Sequence, residues 1–471
     1  MQSSELFSQE LQRELRGVWV ATVLNIDWPS KASLKAKMQK AEIDKQLDYF
    51  ESIGLNAVFF QIRPNSNRLY KGSTEPWAEW VSGKQGKGPG YDPLKYIIKG
   101  CHQRGLELHA WINPYRVLLD SSKTPKTKKN IAKKYPDWII NYGKGSMLNP
   151  GIPSVRTYIY EILKQLISRY DIDGIHYDDY FYPYPYKGLP FPDEKDFQQY
   201  GEGFNDKASW RRHNVDALIH ATNNAIIETR PSVKFGVSPF GVWRNIESDS
   251  LGSDTRAGAP TYDSLYADTR KWLQNGWVDY IAPQLYWSIG FPPAAYDVLA
   301  KWWAKNSYNR HIFIGQGPYK INNNYDSAWY NPSEIPNQIR LNRQLAPVIK
   351  GSIYFSAQQL IKNPNNISDS LKTDFYAEKA LPPIMPWKPQ QPALQPNKIK
   401  ITAQGNALII KWEKPNAKLG YVAPTFYAIC EKKSSSYSII KVVDSRKRKV
   451  ILSKEIQKDN IKVIGLNNHF N

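Results

Sequence analysis

Cysteine is nearly missing from this chain. Cys101 and Cys430 are the only two in 471 residues, and they lie in regions of different composition, so neither a disulfide framework nor a metal knuckle is supported. No apolar run reaches the 18 residues a membrane-spanning helix needs. The stretch 1–7 has no apolar signal core and no lipid-anchoring cysteine, which leaves a cytoplasmic protein or one whose export signal has been removed. Zinc-finger spacing, a helix-turn-helix pattern and an aromatic RNA-binding signature are all lacking, so nucleic acid is not an expected partner. No cofactor and no resident metal are expected either. Acids are scarce, 43 against 63 Lys and Arg, and the resulting charge of +20 implies an anionic partner or neighbourhood such as a cell-wall polymer or lipid headgroups.

Aromatics, in contrast, are plentiful. They make up 13% of the chain, with 16 Trp and 30 Tyr, enough for flat surfaces that stack on sugar rings, although core packing is their commoner use. Eight short apolar runs read as strands, at 16–22, 57–63, 107–113, 174–181, 234–238, 280–286, 311–316 and 351–356. Amphipathic helical patterns separate them, among them 41–53, 94–104, 155–170 and 213–228. This alternation predicts an α/β chain whose main domain is a (β/α)₈ TIM barrel over 15–380, after a tail at 1–14. The proline-rich stretch 381–396 reads as a stiff extended linker, and 397–471 as a small all-β sandwich with Trp412 in its core. The basic runs 123–134 and 446–449 read as solvated loops.

In such a barrel, polar residues at the C-terminal strand ends carry the chemistry. The stretch 171–183 is the most suggestive, because alternation puts His176, Asp178 and Tyr180 on one face of the predicted fourth strand and Asp179 on the other. Arg63, Asn113, Tyr115, Arg116, Trp243, Gln284, Tyr286 and Trp287 also fall at or just beyond strand ends. His109, His176 and Asp178 offer an alternative, a metal site of the barrel hydrolases, but the first strand lacks the His-x-His such sites begin with.

With these strands placed, the chain resembles the glycosyl hydrolase-like 10 family of bacterial envelope proteins over 14–380. The likeness rests on 15–22, Asn25 to Ser30, Phe60 to Pro64, Glu75-Pro-Trp77, Tyr91 to Leu94, His109 to Pro114, Asp173 to Pro183 and Ala282 to Trp287. It implies an exported glycoside hydrolase of the periplasm or outer envelope, acting as a monomer on N-acetylated peptidoglycan strands. The C-terminal sandwich resembles a fibronectin type III module. A second likeness, to chitinase-type enzymes, rests on Asp173-Gly174; it implies that Asp178 orients a substrate acetamide and that Tyr286 contacts it, but Tyr180 stands where those enzymes have their Glu acid.

Glycoside hydrolysis usually takes two carboxyl groups. Asp178 is the first candidate, as nucleophile or acetamide-orienting group. The second is Asp179, as general acid, ahead of Glu75 and Asp27. Arg63 and Arg116 have the fork to grip a substrate carboxylate such as the lactyl group of muramic acid, or else hold the aspartates by salt bridges. Tyr180, Tyr182, Tyr184, Trp243 and Trp287 are candidates for stacking on sugars. The absence of an acid after the fifth strand keeps a non-catalytic glycan-binding barrel open.

Overall fold

The computed structural model describes residues 11–123, 125, 127–433, 436–453, 456–468 and 470. Most of the predicted tail, and Thr124 and Lys126 of the first basic run, lie outside them.

Strand β2 (Ala57–Arg63) shows how the sequence specifies the barrel, for all seven of its residues are buried, as befits a parallel strand covered on both faces. It pairs with β1 (Leu15–Val20) and with β3 (Glu107–Ile112). A three-stranded antiparallel insertion follows, β4 (Arg116–Leu118), β5 (Ile139–Tyr142) and β6 (Gly145–Leu148). The barrel resumes with β7 (Gly174–Tyr177), β8 (Lys234–Val237), β9 (Tyr280–Ile281), β10 (His311–Gln316) and β11 (Ile349–Tyr354), and β11 closes on β1. Two of the intervening helices show recognisable caps. Asp92 accepts from Lys95 N (3.2 Å) ahead of Pro93–Gln103, and Asp206 from Ser209 N (2.8 Å) ahead of Lys207–Thr229.

Two predicted strands are shorter than expected. The one read over 174–181 stops at Tyr177, which leaves Asp178 and Asp179 just past its end. The one read over 280–286 pairs regularly only at Tyr280–Ile281, because Pro283 has no N–H to give the ladder. The barrel interior holds Trp19, Phe59, Trp111, Tyr280 and Phe313. Glycines make room for such rings: a Cβ on Gly174 would lie 2.3 Å from His109 Nδ1, and one on Gly236 2.1 Å from the Tyr280 ring.

Beyond the barrel stand two three-stranded antiparallel sheets. One runs β12 (Asn397–Gln404), β13 (Ala407–Glu413), β16 (Lys449–Ser453); the other β15 (Tyr437–Asp444), β14 (Phe426–Lys432), β17 (Ile461–Leu466). Ile410, Trp412 and Val450 of the first pack against Tyr427, Ile429 and Val463 of the second. The stretch 381–396 is extended yet is no free spacer. Met385 joins the barrel-interior cluster, Trp387 donates to Asp279 (2.7 Å), and Lys388 pairs with Asp279 (2.7 Å).

Candidate functional site

At the C-terminal ends of the strands lies a cavity of about 380 Å³, lined among others by Trp19, Trp111, Arg116, Asp178, Asp179, Tyr180, Tyr184, Gln284, Tyr286, Tyr319 and Phe355. Asp178 Oδ2 accepts the Trp111 indole N–H (3.2 Å) and the amide of Asn113, while Oδ1, among the described residues, has only the Tyr180 backbone N–H at 3.3 Å. Asn113 is itself oriented by Gln61 (2.8 Å). Asp179 accepts from the Tyr184 hydroxyl and from Gln284 Nε2 (3.3 Å). Burial raises both carboxyls, and the charge of Asp179 adds to it at Asp178, which is pushed up to about 7 against the pull of Arg116.

Arg116 sits between this cavity and a smaller apolar one of about 200 Å³ lined by Leu118, Leu119, Met147 and Phe181. Its guanidinium lies over the Tyr180 ring (3.9 Å) and, among the described residues, makes no ion pair within 4.0 Å.

Of the residues expected at the site, Asp178, Asp179, Arg116, Tyr180, Tyr184, Gln284 and Tyr286 line the cavity. Asn113 stands behind Asp178 and orients it. The rest are placed elsewhere. Glu75 and Arg63 form a fully buried fork-on-fork pair (2.6 and 2.9 Å), and Arg63 also donates to the Asn113 and Pro114 carbonyls. A partner this close leaves neither free for a glycan. Asp27 accepts from Ala21 N (2.7 Å), Ser356 Oγ (2.7 Å) and Gln358 N (2.9 Å); it fastens the loop after β1 to the end of β11, and burial pushes it up to about 6. Tyr115 is wholly buried. Trp243 donates to Asp268 and stacks on Trp302, and Trp287 packs edge-on against Phe240.

His176, expected beside Asp178 as a substrate contact, is instead sealed below the cavity floor. Its two nitrogens are taken by Trp19 and Tyr280, and those of His109 by Tyr280 and Glu107. The donor set proposed for a metal is thus committed elsewhere, and no group of three His, Cys, Asp or Glu suited to a metal occurs among the described residues. Trp19, Trp111, Tyr319 and Phe355 were not anticipated. Strand alternation was the signal for Trp19, two residues before Ala21 on the inward face of β1.

A parallel eight-stranded barrel whose C-terminal mouth holds two aspartates in an aromatic-walled cavity is the architecture of a glycoside hydrolase. The family match agrees. Residues 14–331 match the family described as Glycosyl hydrolase-like 10, and the chain belongs to that family. It is 49% identical over 423 residues to the glycosyl hydrolase YngK of Bacillus subtilis (strain 168), covering 88% of this chain and 82% of that one. It is 39% identical over 378 residues to the glycosyl hydrolase DigH of Escherichia coli (strain K12), covering 75% and 85%. The solved glycoside hydrolase domain of PgaB (BpsB) from Bordetella bronchiseptica is 12% identical, with a TM-score of 0.47, over 76% of this chain and 98% of that one.

Proposed function

We propose that this glycoside hydrolase cuts the N-acetylated glycan strand of peptidoglycan, with Asp178 and Asp179 as its two carboxyl groups. The observation that carries the reading is the pair itself, two carboxyls in one desolvated cavity. Two neighbouring buried charges oppose each other, so the pair keeps one proton near neutral pH. Asp178 Oδ2 already accepts two N–H groups, as a carbonyl oxygen does, which leaves Oδ1 to carry that proton. Asp178 is then the general acid that protonates the leaving oxygen. Asp179, with Tyr184 and Gln284 donating to it, stays charged and either stabilises the positive anomeric carbon or orients the acetamide. This exchanges the roles expected from the sequence.

Arg116 supports a sugar bearing a carboxylate, since its guanidinium reaches the cavity without an ion-pair partner among the described residues. The apolar cavity beside it suits the methyl of a lactyl ether. On this reading the protein works as a monomer at the cell envelope, and the C-terminal sheets form a fibronectin type III-like module. Digestion of peptide-free peptidoglycan strands, with products weighed by mass spectrometry, tests the substrate. Cleavage of chitin oligosaccharides together with failure on muramic acid-containing strands would overturn it.

A further inference from the structure

A single file of hydrogen bonds runs through the inside of the barrel to the cavity floor. The Trp19 indole N–H donates to His176 Nε2 (3.1 Å), and His176 Nδ1 meets the Tyr280 hydroxyl (3.1 Å). That hydroxyl meets His109 Nδ1 (2.9 Å), His109 Nε2 meets Glu107 Oε2 (3.0 Å), and the other Glu107 oxygen pairs with Lys234. All six side chains are buried.

The two ends dictate what lies between. An indole N–H only donates, and a carboxylate paired with an ammonium only accepts. Each intermediate group must therefore receive one hydrogen bond and pass one on. His176 carries its hydrogen on Nδ1, Tyr280 donates to His109 Nδ1, and His109 carries its hydrogen on Nε2. The file thus places the ring hydrogens on opposite nitrogens of the two imidazoles. Burial holds His176 well below the ordinary imidazole range, and Lys234, with the hydrogen bond from His109, outweighs burial to keep Glu107 ionised. The rings have little room to turn, because Gly174 and Gly236 are packed against His109 and Tyr280.

We propose that His176 is a positioning residue for glycan cleavage: the file turns the Trp19 N–H down into the barrel, so that the indole closes the floor of the cavity that holds Asp178 and Asp179 with carbon rather than with a polar N–H, beneath the sugar bound there. This rests on the glycoside hydrolase reading and not on the choice of glycan.

Histidine ¹⁵N NMR of the full chain tests the file directly. Hydrogen on Nδ1 of His176 and on Nε2 of His109 is expected; the same tautomer at both, or an imidazolium at either near neutral pH, would overturn it. Tyr280→Phe removes the middle link without altering the cavity lining. It should shift the Trp19 indole N–H resonance and lower kcat/KM on peptide-free strands by about ten-fold, mostly through KM. Turnover unchanged beside a shifted resonance would mean that Trp19 needs no such support. Should that variant fail to fold, His176→Gln and His176→Leu decide instead. Glutamine keeps one acceptor and one donor and should keep most of the activity, whereas equal losses in the two would sink the proposal. A parent inactive on those strands counts against the proposed substrate alone, and chitin-oligosaccharide binding read by tryptophan fluorescence then replaces turnover.

Discussion

Asp178 is buried against Trp111 and Asn113 with a second carboxyl in the same cavity, and its rise from 3.8 to about 7 has consequences for rate and for stability. If the proton is the one delivered to the leaving group, kcat falls as pH climbs through about 7, and a pH–rate profile checks this. Stability runs the same way. Between the unfolded value of 3.8 and the folded value of about 7 the native chain binds the extra proton, so this group's favourable contribution is complete below 3.8 and is lost as pH rises through 7. Asp178→Asn should accordingly raise Tm at alkaline pH, with the gain fading towards pH 4, while kcat drops by roughly 10³ with little change in KM. Asp179→Asn is expected to be as damaging, and rescue of either variant by an activated aryl glycoside would identify the acid. Arg116→Lys should weaken binding of muramic acid-containing strands more than of chitin oligosaccharides, since lysine keeps the charge but not the fork. Equal loss on both would show that Arg116 serves only to pack Tyr180.

Among the elements, the loop between β2 and the helix that follows is held by the Arg63–Glu75 pair, both side chains 1% exposed, with Tyr158 also donating to Glu75 (3.1 Å). Because Arg63 reaches the Asn113 and Pro114 carbonyls, the pair braces the end of β3 behind Asp178. Glu75→Gln leaves a buried guanidinium uncompensated and should cost about 3–5 kcal/mol in thermal or urea unfolding. Any molecules still folded should retain turnover, which separates this role from that of an acid in the reaction. In the C-terminal unit, Lys400, Lys411 and Lys449 lie directly opposite one another across β12, β13 and β16 and are exposed. Like charges so placed repel, so Lys411→Thr is expected to stabilise the protein by about 0.2–1 kcal/mol at low salt, less at high salt.

At the scale of the whole molecule, the stretch after the barrel belongs to its structure. Leu381 hydrogen-bonds with Gln12 and Glu14, and together with Leu11 it packs into a cluster with Phe426 and Leu466; Met385 reaches the barrel interior. A chain ending at 380 should therefore lose fold and activity together, whereas one ending at 396 keeps Met385, Trp387 and Lys388 in place and should unfold at a clearly higher temperature. Circular dichroism melts of the two compare them. The sequence by itself determined the alternation of strand and helix, the family, and the position of Asp178 and Asp179 at the end of the fourth barrel strand, because period and local composition record which residues face a core and where a strand gives way to a polar loop. Only the tertiary structure decided which strand-end residues reach the cavity. Arg63 and Arg116 look alike in the sequence, yet one meets Glu75 and the other does not. His176, on the predicted face, ends beneath Trp19, and Tyr319 and Phe355 reach the cavity wall from just beyond β10 and β11, far along the chain. Such outcomes depend on partners brought together across separations from 12 residues (Arg63 and Glu75) to 157 (Trp19 and His176), and a charge or a ring is free or committed only once those partners are in place.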